Sequence, residues 1–126
     1  MKRKKLKLLI KKHKQEWIAT CQTLLDCYNN FLDYLLCPFC KVAKSICKKE
    51  EPIVCLFGDY CKYCVWYFFT GYDCANYMKA KKFTNVELSK EQLLGFVAYL
   101  RNSRNKRWVR LRKKQLSKWI EKLKKL

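Results

Sequence analysis

The sequence predicts a mainly α-helical domain, because it shows two amphipathic helix patterns and few turn residues. Half of its 126 residues are apolar, which is enough for a core, and only three are glycine and two proline. This composition argues against a sheet joined by many tight turns. The length is close to the commonest size of a single domain, so we expect one domain over residues 1–126. No run of about 18 apolar residues is present, so no transmembrane helix is predicted.

The first predicted element is a helix over residues 15–36. At 100° per residue, its apolar side chains fall within an arc of about 140°, and polar residues occupy the opposite side. Pro38 ends the pattern, since the residue before a proline avoids the helical region. Leu6 and Ile10 continue the apolar arc backwards, so we expect the basic start of the chain to extend this helix.

The centre of the chain, residues 37–74, is dense in cysteine and aromatic residues and has a less regular pattern. Residues 41–49 suit a short helix, and residues 50–52 suit a turn. Residues 53–57 suit a short strand, and residues 65–69 form an aromatic run that also ends near a glycine. We therefore expect an irregular centre, with a short β-hairpin as an alternative within it.

The last third is predicted to be helical again. Ser89 and Gln92 have capping-box spacing ahead of an apolar stretch, and residues 102–105 interrupt it. A further helix runs from Trp108 to the end and carries an apolar arc of about 120°, on which Arg112 is the one charged residue. We expect this arc to pack on the chain's own core or on a second copy. The arc consists of Trp108, Val109, Leu116, Trp119, Ile120, Leu123 and Leu126.

The net charge of +19 is concentrated at the two ends of the chain. A basic extension over residues 1–14 and a basic helix over residues 104–126 flank a nearly neutral body over residues 15–103. Such asymmetry indicates a polyanionic partner, either nucleic acid or an anionic membrane face, with a solvated lysine-rich surface as the alternative. The candidate phosphate-binding residues are Lys11, Lys12, Lys14, Arg104, Lys106, Arg107, Arg110, Lys113, Lys114 and Lys118.

Two C-x2-C pairs predict a metal site. Cys37 with Cys40 and Cys61 with Cys64 have the pairing and separation of a four-thiolate centre, and Cys74 is a further candidate ligand. Zinc is the expected metal, because tetrahedral thiolate sites hold it without other ligands. A [4Fe–4S] cluster is the alternative, because it uses the same thiolate set.

The other cysteines have different expectations. Cys47 and Cys55 lie between the two pairs and compete for the same metal, whereas Cys21 lies on the apolar arc of the first helix and is expected in the core. The basic start of the chain is not followed by an uncharged signal-peptide segment, so we expect a cytoplasmic, reducing location without disulfides.

Two resemblances concern the cysteine-rich centre. Cys37-Pro38-Phe39-Cys40 resembles the active-site turn of glutaredoxins, but a helix precedes it where that fold has a strand, and the glutathione-groove proline is missing, so this interpretation is rejected. The order of residues 37–40, 61–66 and 70–74, C-P-x-C then C-x-x-C then a lone Cys, resembles small uncharacterised phage cysteine-cluster proteins. That resemblance implies a viral or mobile-element origin and a metal-bound cluster, and it implies no activity.

The sequence therefore predicts a metal-stabilised nucleic-acid-binding protein, DNA and RNA both being open, and not an enzyme. His13 is the sole histidine and lies among lysines, which disfavours most histidine-based catalysis, and no glycine-rich phosphate loop is present. One alternative is a protein-interaction module, such as a viral inhibitor or transcription co-regulator, that docks through the C-terminal arc or forms a homodimer. Membrane-surface binding and an iron–sulfur protein are the others.

Overall fold

The computed structural model describes residues 2–30, 38–56, 60–72, 77 and 106–126, and these are mainly α-helical. This confirms the predicted fold class, and no strand occurs within the described ranges. The expectations for residues 31–37, for the capping box at Ser89 and for residues 102–105 lie outside them. The helices are α1 (Arg3–Lys12), α2 (Lys14–Asn30), α3 (Pro38–Glu50), α4 (Pro52–Leu56), α5 (Val65–Thr70) and α6 (Lys106–Lys124), with a 3₁₀ turn at Cys61–Tyr63.

The basic start of the chain is helical, as the backward extension of the apolar arc predicted, but it is separated from α2 at one residue. His13 has φ −106° and ψ 20°, outside the regular α-helix, although Trp17 N still donates to its carbonyl at 3.2 Å. Leu6 and Ile10 are buried, so α1 packs on the body of the protein. The buried residues of α2 are Trp17, Thr20, Cys21, Leu24 and Tyr28.

The prediction of a short strand at residues 53–57 is wrong, because residues 52–56 form helix α4. Pro52 fits the first helical position, where its fixed φ suits the helix and its missing N–H needs no partner. Cys55 N donates to Glu51 O at 3.1 Å, which continues the helical hydrogen-bonding pattern across the turn after α3. The β-branched pair Ile53 and Val54 favours a strand by propensity, and the local proline and helical bonding override that preference.

The short β-hairpin considered for the centre is not formed by the described residues, since the aromatic run at residues 65–69 also belongs to a helix, α5. Cys64 caps its start by accepting a hydrogen bond from Trp66 N, and Gly71 ends it with φ 77°. That left-handed conformation suits glycine, which has no Cβ to clash. The predicted turn at Gly71 is therefore present as a helix C-cap.

Helix α6 packs against α2 and begins at Lys106, two residues before the predicted start. Lys14 Nζ donates to Leu126 O at 3.2 Å, so the C-terminal end of α6 meets the N-terminal end of α2 and the helices run antiparallel. Most of the predicted apolar arc is buried in the chain's own core. The side chain of Trp108 lies outside the described part of the structure. The buried arc residues are Leu116, Trp119, Ile120 and Leu123.

An aromatic cluster fills the centre of the core around Trp119. Its ring stacks on Phe69 with centroids 5.3 Å apart, and it meets Phe39 and Trp66 at 6.2 Å each. Trp17 of α2 reaches Phe39 edge-on at 5.9 Å. These contacts join α2, α3, α5 and α6 into one packed unit. In the described part of the chain, every helix is too short or too polar to cross a lipid bilayer.

Candidate nucleic-acid interface and metal centre

A row of cationic side chains lies on the outer face of α6. Arg110, Lys114, Lys118 and Lys122 follow one another at intervals of four residues, and all four are exposed. Residues spaced in this way share one face of a helix. The apolar arc of α6 is buried against α2, so this outer row is left facing solvent.

The outer row of α6 has little acidic compensation. Within the described ranges, Arg110, Lys114 and Lys118 form no ion pair with a carboxylate. The one ion pair on α6 there joins Lys124 to Glu121 at 3.7 Å, between two exposed side chains. The positive charge of this face is therefore available to an external anion.

Helix α1 divides its lysines between two roles. Lys5 forms an ion pair with Glu51, and Lys12 forms one with Glu50 at 2.6 Å, so these lysines hold α1 against the end of α3. Lys11 is exposed, as is required of a phosphate-binding candidate, whereas Lys14 is half-buried and engaged with the C-terminal residue. Of the three N-terminal candidates, the structure thus leaves Lys11 available.

Three exposed lysines were missed by the sequence reasoning. Lys4 and Lys7 lie with Lys11 on the outer face of α1, and Lys122 extends the row of α6. The signal was present in the sequence, because Leu6 and Ile10 define the inner face of α1 and thereby its outer face.

The two basic ends of the sequence meet around α5. Arg3 Nη1 donates to Phe68 O at 2.8 Å, and its guanidinium lies 4.6 Å from the centre of the Phe68 ring. On the other side, Lys122 Nζ lies 5.6 Å from the centre of the Phe69 ring. Helix α5 is therefore flanked by α1 and α6, and cations from the two ends of the chain share one region of the surface.

The remaining basic candidates are placed differently. Arg107 is exposed and Lys113 is half-buried, whereas Arg104 and the side chain of Lys106 lie outside the described residues. Arg112 is fully buried, and its guanidinium carbon lies 4.0 Å from the Trp66 ring centre and 5.4 Å from that of Trp119. The sequence places Arg112 on the apolar arc of α6, and the structure accordingly buries its side chain in the core.

The second C-x2-C pair forms a compact turn. Cys64 N donates to Cys61 O at 3.1 Å, and Cys64 Sγ accepts from Trp66 N at 3.4 Å. Such N–H···S bonds favour the thiolate form that binds metals. Cys40 lies in the first turn of α3, which packs against the turn that carries Cys61.

Of the predicted metal ligands, Cys37 and Cys74 lie outside the described residues, and Cys40, Cys61 and Cys64 lie within them. No three His, Cys, Asp or Glu side chains among the described residues are grouped for metal binding. His13 lies between two carboxylates, with Nδ1 3.2 Å from Glu16 Oε1 and Nε2 3.3 Å from Glu50 Oε1. The described contacts of this histidine therefore join α1, α2 and α3.

The two cysteines of α2 have different surroundings. Cys21 is buried in the core, as expected, and burial raises its pKa to about 12, an effect opposed by the nearby charge of Arg112. Cys27 is half-buried on the polar side, and its pKa is raised by burial and by the charge of Asp26. Neither thiol is set up as a nucleophile at neutral pH.

Comparison of the chain with family models, with curated proteins and with solved structures gives no match. Function is therefore inferred from the charge distribution and the thiols of this chain itself.

Proposed function

We propose that this protein binds nucleic acid through the outer faces of α1 and α6, on a domain whose cysteine-rich centre is held by a metal. The observation that carries the proposal is that two cationic helices from opposite ends of the chain pack on one core and flank α5. Like charges brought together repel one another. A polyanion that spans both helices relieves this repulsion.

The dimensions of the α6 row suit a phosphate backbone. Arg110 and Lys122 are twelve residues apart, which corresponds to about 18 Å along a helix. Double-stranded DNA carries phosphates closely spaced along its axis, so a row of this length meets several of them. Contacts of this kind position a protein on the backbone and carry little sequence information. We therefore expect weak sequence preference.

The burial of the C-terminal arc favours this function over docking through that arc. Leu116, Trp119 and Leu123 are at most 4% exposed, so a partner groove or a membrane would bind them only after α6 had left the core. The outer row needs no such rearrangement, because its side chains already face solvent.

The metal is proposed because the centre supplies several cysteine thiolates as ligands. Cys40, Cys61 and Cys64 belong to two packed elements, α3 and the 3₁₀ turn, and Cys37 and Cys74 are the further candidate ligands. Zinc is the first choice, and a [4Fe–4S] cluster is the alternative. Either centre would cross-link α3 to the 3₁₀ turn that packs against it.

The nucleic-acid proposal is tested by fluorescence anisotropy with a short duplex DNA and a single-stranded RNA at rising salt. If about six phosphates are neutralised, log K for the duplex falls against log salt with a slope near −5. Absence of binding to both at low salt contradicts the proposal. Tight binding to anionic vesicles in the same buffer, without nucleic-acid binding, assigns the charge to a membrane surface.

The metal is tested by metal analysis and the absorption spectrum of protein purified without oxygen. Cys61→Ser is expected to lose the metal and to broaden the unfolding transition, whereas the matched control Cys27→Ser does neither. A brown protein indicates iron–sulfur, and a colourless protein with one zinc per chain indicates zinc. Metal-free wild-type protein with a cooperative unfolding transition contradicts a metal centre.

A further inference from the structure

An aromatic ring is exposed where the two basic helices meet at α5. Tyr72 is 45% exposed, and it is the one exposed aromatic residue within the described ranges. It follows the last turn of α5, where Arg3 Nη1 donates to Phe68 O and Lys122 Nζ lies 5.6 Å from the Phe69 ring centre. The chain from Phe69 to Tyr72 spans at most about 11 Å between Cα atoms, so Tyr72 leaves α5 close to both cations.

The backbone at Tyr72 is fixed to α5, so its ring is presented at a defined place. Thr70 Oγ1 donates to Trp66 O at 2.7 Å and accepts from Tyr72 N at 3.2 Å. Gly71 has φ 77°, and its N–H donates to Tyr67 O at 2.9 Å, which closes the last turn of the helix. A residue whose backbone is held in this way loses less freedom on binding a ligand than one in an unbonded segment.

The neighbouring rings of α5 are covered by other side chains. Phe68 is buried, and the guanidinium carbon of Arg3 lies 4.6 Å from its ring centre. Phe69 stacks on Trp119, with the two centroids 5.3 Å apart. Among the described rings of this region, Tyr72 therefore has the largest exposed fraction and is the one that an external ligand reaches most easily.

We propose that Tyr72 stacks on an unpaired base of a single-stranded nucleic acid whose phosphates contact the cations of α1 and α6. This inference rests on the nucleic-acid function proposed above and adds the ligand class, a strand with unpaired bases. Proteins that bind single strands combine a cationic track for the backbone with aromatic rings on which bases stack. Arg3 and Lys122 are both exposed, so an aromatic face bordered by cations is complementary to a base bordered by phosphates. In a duplex the base faces are stacked on one another and are closed to the ring.

The ring and the cations can be distinguished by their dependence on salt. Phosphate contacts release counterions and weaken as salt rises, whereas a stacked ring releases none. Loss of the ring should therefore lower log K for a single strand by a constant amount and leave the slope against log salt unchanged. Because every base has a flat face, the effect should depend little on sequence.

The test compares a short oligo(dA) with an abasic single strand of the same length, by fluorescence anisotropy over a range of salt. The wild type should bind oligo(dA) about tenfold more tightly, as expected for the stacking of one base. Tyr72→Ala should lose this preference, whereas Tyr72→Phe, which keeps the ring, should retain it. Leu56→Ala removes another exposed apolar side chain, on α4, and is the matched control that should behave as the wild type.

Photocrosslinking of the wild-type protein to a strand that carries 5-iodouracil is a second measurement, and it requires no variant. The adduct should lie in the tryptic peptide of residues 63–79, and fragmentation should place it on Tyr72. An adduct confined to other residues overturns the inference.

The outcomes of the binding test separate the ring from the phosphate contacts. Equal binding of the wild type to the two strands, or a preference that survives in Tyr72→Ala, overturns the inference but not the proposed phosphate contacts. Absence of binding to any nucleic acid at low salt contradicts the proposed function and the inference together. Binding to anionic vesicles that Tyr72→Ala weakens, without a preference of the wild type for oligo(dA), assigns the ring to a membrane surface and also overturns the inference.

Discussion

Helices α1 and α6 are both rich in lysine and both bury an apolar face, yet their charges do different things. In α1, Lys5 and Lys12 reach Glu51 and Glu50 and so attach the helix to the end of α3. In α6, none of the four cations of the outer row from Arg110 to Lys122 has such an acidic partner within the described ranges. The lesson is that composition does not distinguish structural from functional lysines. The position of each lysine relative to distant carboxylates does.

The contrast is strongest within α6 itself, between its inner and outer faces. We expect Trp119→Ala to lower the free energy of unfolding by about 3–5 kcal/mol, because the ring lies at the centre of the aromatic cluster and its removal leaves a cavity. The control Lys118→Ala, one residue earlier on the outer face, should stay within about 0.5 kcal/mol. Denaturant unfolding measures both, and similar losses in the two variants would show that the inner and outer faces are misassigned.

Two arginines on α6 sharpen the same comparison. Arg112 is buried with its guanidinium over the Trp66 ring, whereas Arg110 is exposed two residues away. Arg112→Lys should lower the free energy of unfolding by about 2 kcal/mol, because an ammonium does not reproduce the planar stacking in a desolvated site. Arg110→Lys should have almost no effect on unfolding. A harmless Arg112→Lys would mean that the stacking contributes little.

The carboxylates that hold α1 should make the free energy of unfolding depend on pH, and this effect is smaller than the previous ones. The hydrogen bond from Lys12, and then that from His13, lower the pKa of Glu50 below its ordinary value of 4.5. A lowered folded-state pKa contributes stability above the ordinary value, and that stability is lost as the pH falls through the lowered pKa. Glu50→Gln should therefore flatten the acid side of the stability profile.

Urea unfolding between about pH 6 and about pH 3 measures this profile, because this range extends from above the ordinary pKa of a glutamate to below it. Glu121→Gln is the matched control, because its ion pair with Lys124 joins two exposed side chains on one helix. An acid limb that is the same in wild type and Glu50→Gln would show that Glu50 does not help to hold α1.

The periodic parts of the fold were predictable, and the reason is local. The apolar arcs of α2 and α6 repeat over several turns, so the burial of Cys21 and the inward position of Arg112 could be inferred from helical geometry alone. The segment at residues 53–57 was misassigned, because a short β-branched run has no period long enough to identify. Pro52, which determined the outcome, was interpreted as part of a turn.

The pairing of charges was not predictable, because it depends on contacts far apart in the sequence. Lys12 and Lys14 look equivalent to Lys11 in the sequence, yet Lys12 meets Glu50 and Lys14 meets the carbonyl of Leu126. Cys47 and Cys55, which were expected to compete for the same metal, lie in the last turn of α3 and in α4. The predicted ligands Cys37 and Cys74 lie outside the described residues and remain predictions.

The central claim, that the outer row of α6 binds phosphates, is tested most directly by comparing two triple variants of equal charge. One carries Arg110→Gln, Lys114→Gln and Lys118→Gln, and the control removes three exposed lysines from α3, at positions 41, 44 and 48. The measurement is the slope of log K against log salt for one duplex DNA. The α6 variant should lose most of its affinity at low salt and have a slope shallower by roughly 2–3, since each phosphate contact contributes about 0.9. The α3 variant should retain a slope close to that of the wild type. Equal slopes in the two variants would show that the charge acts without regard to position, and would contradict the assignment of α6 as the interface.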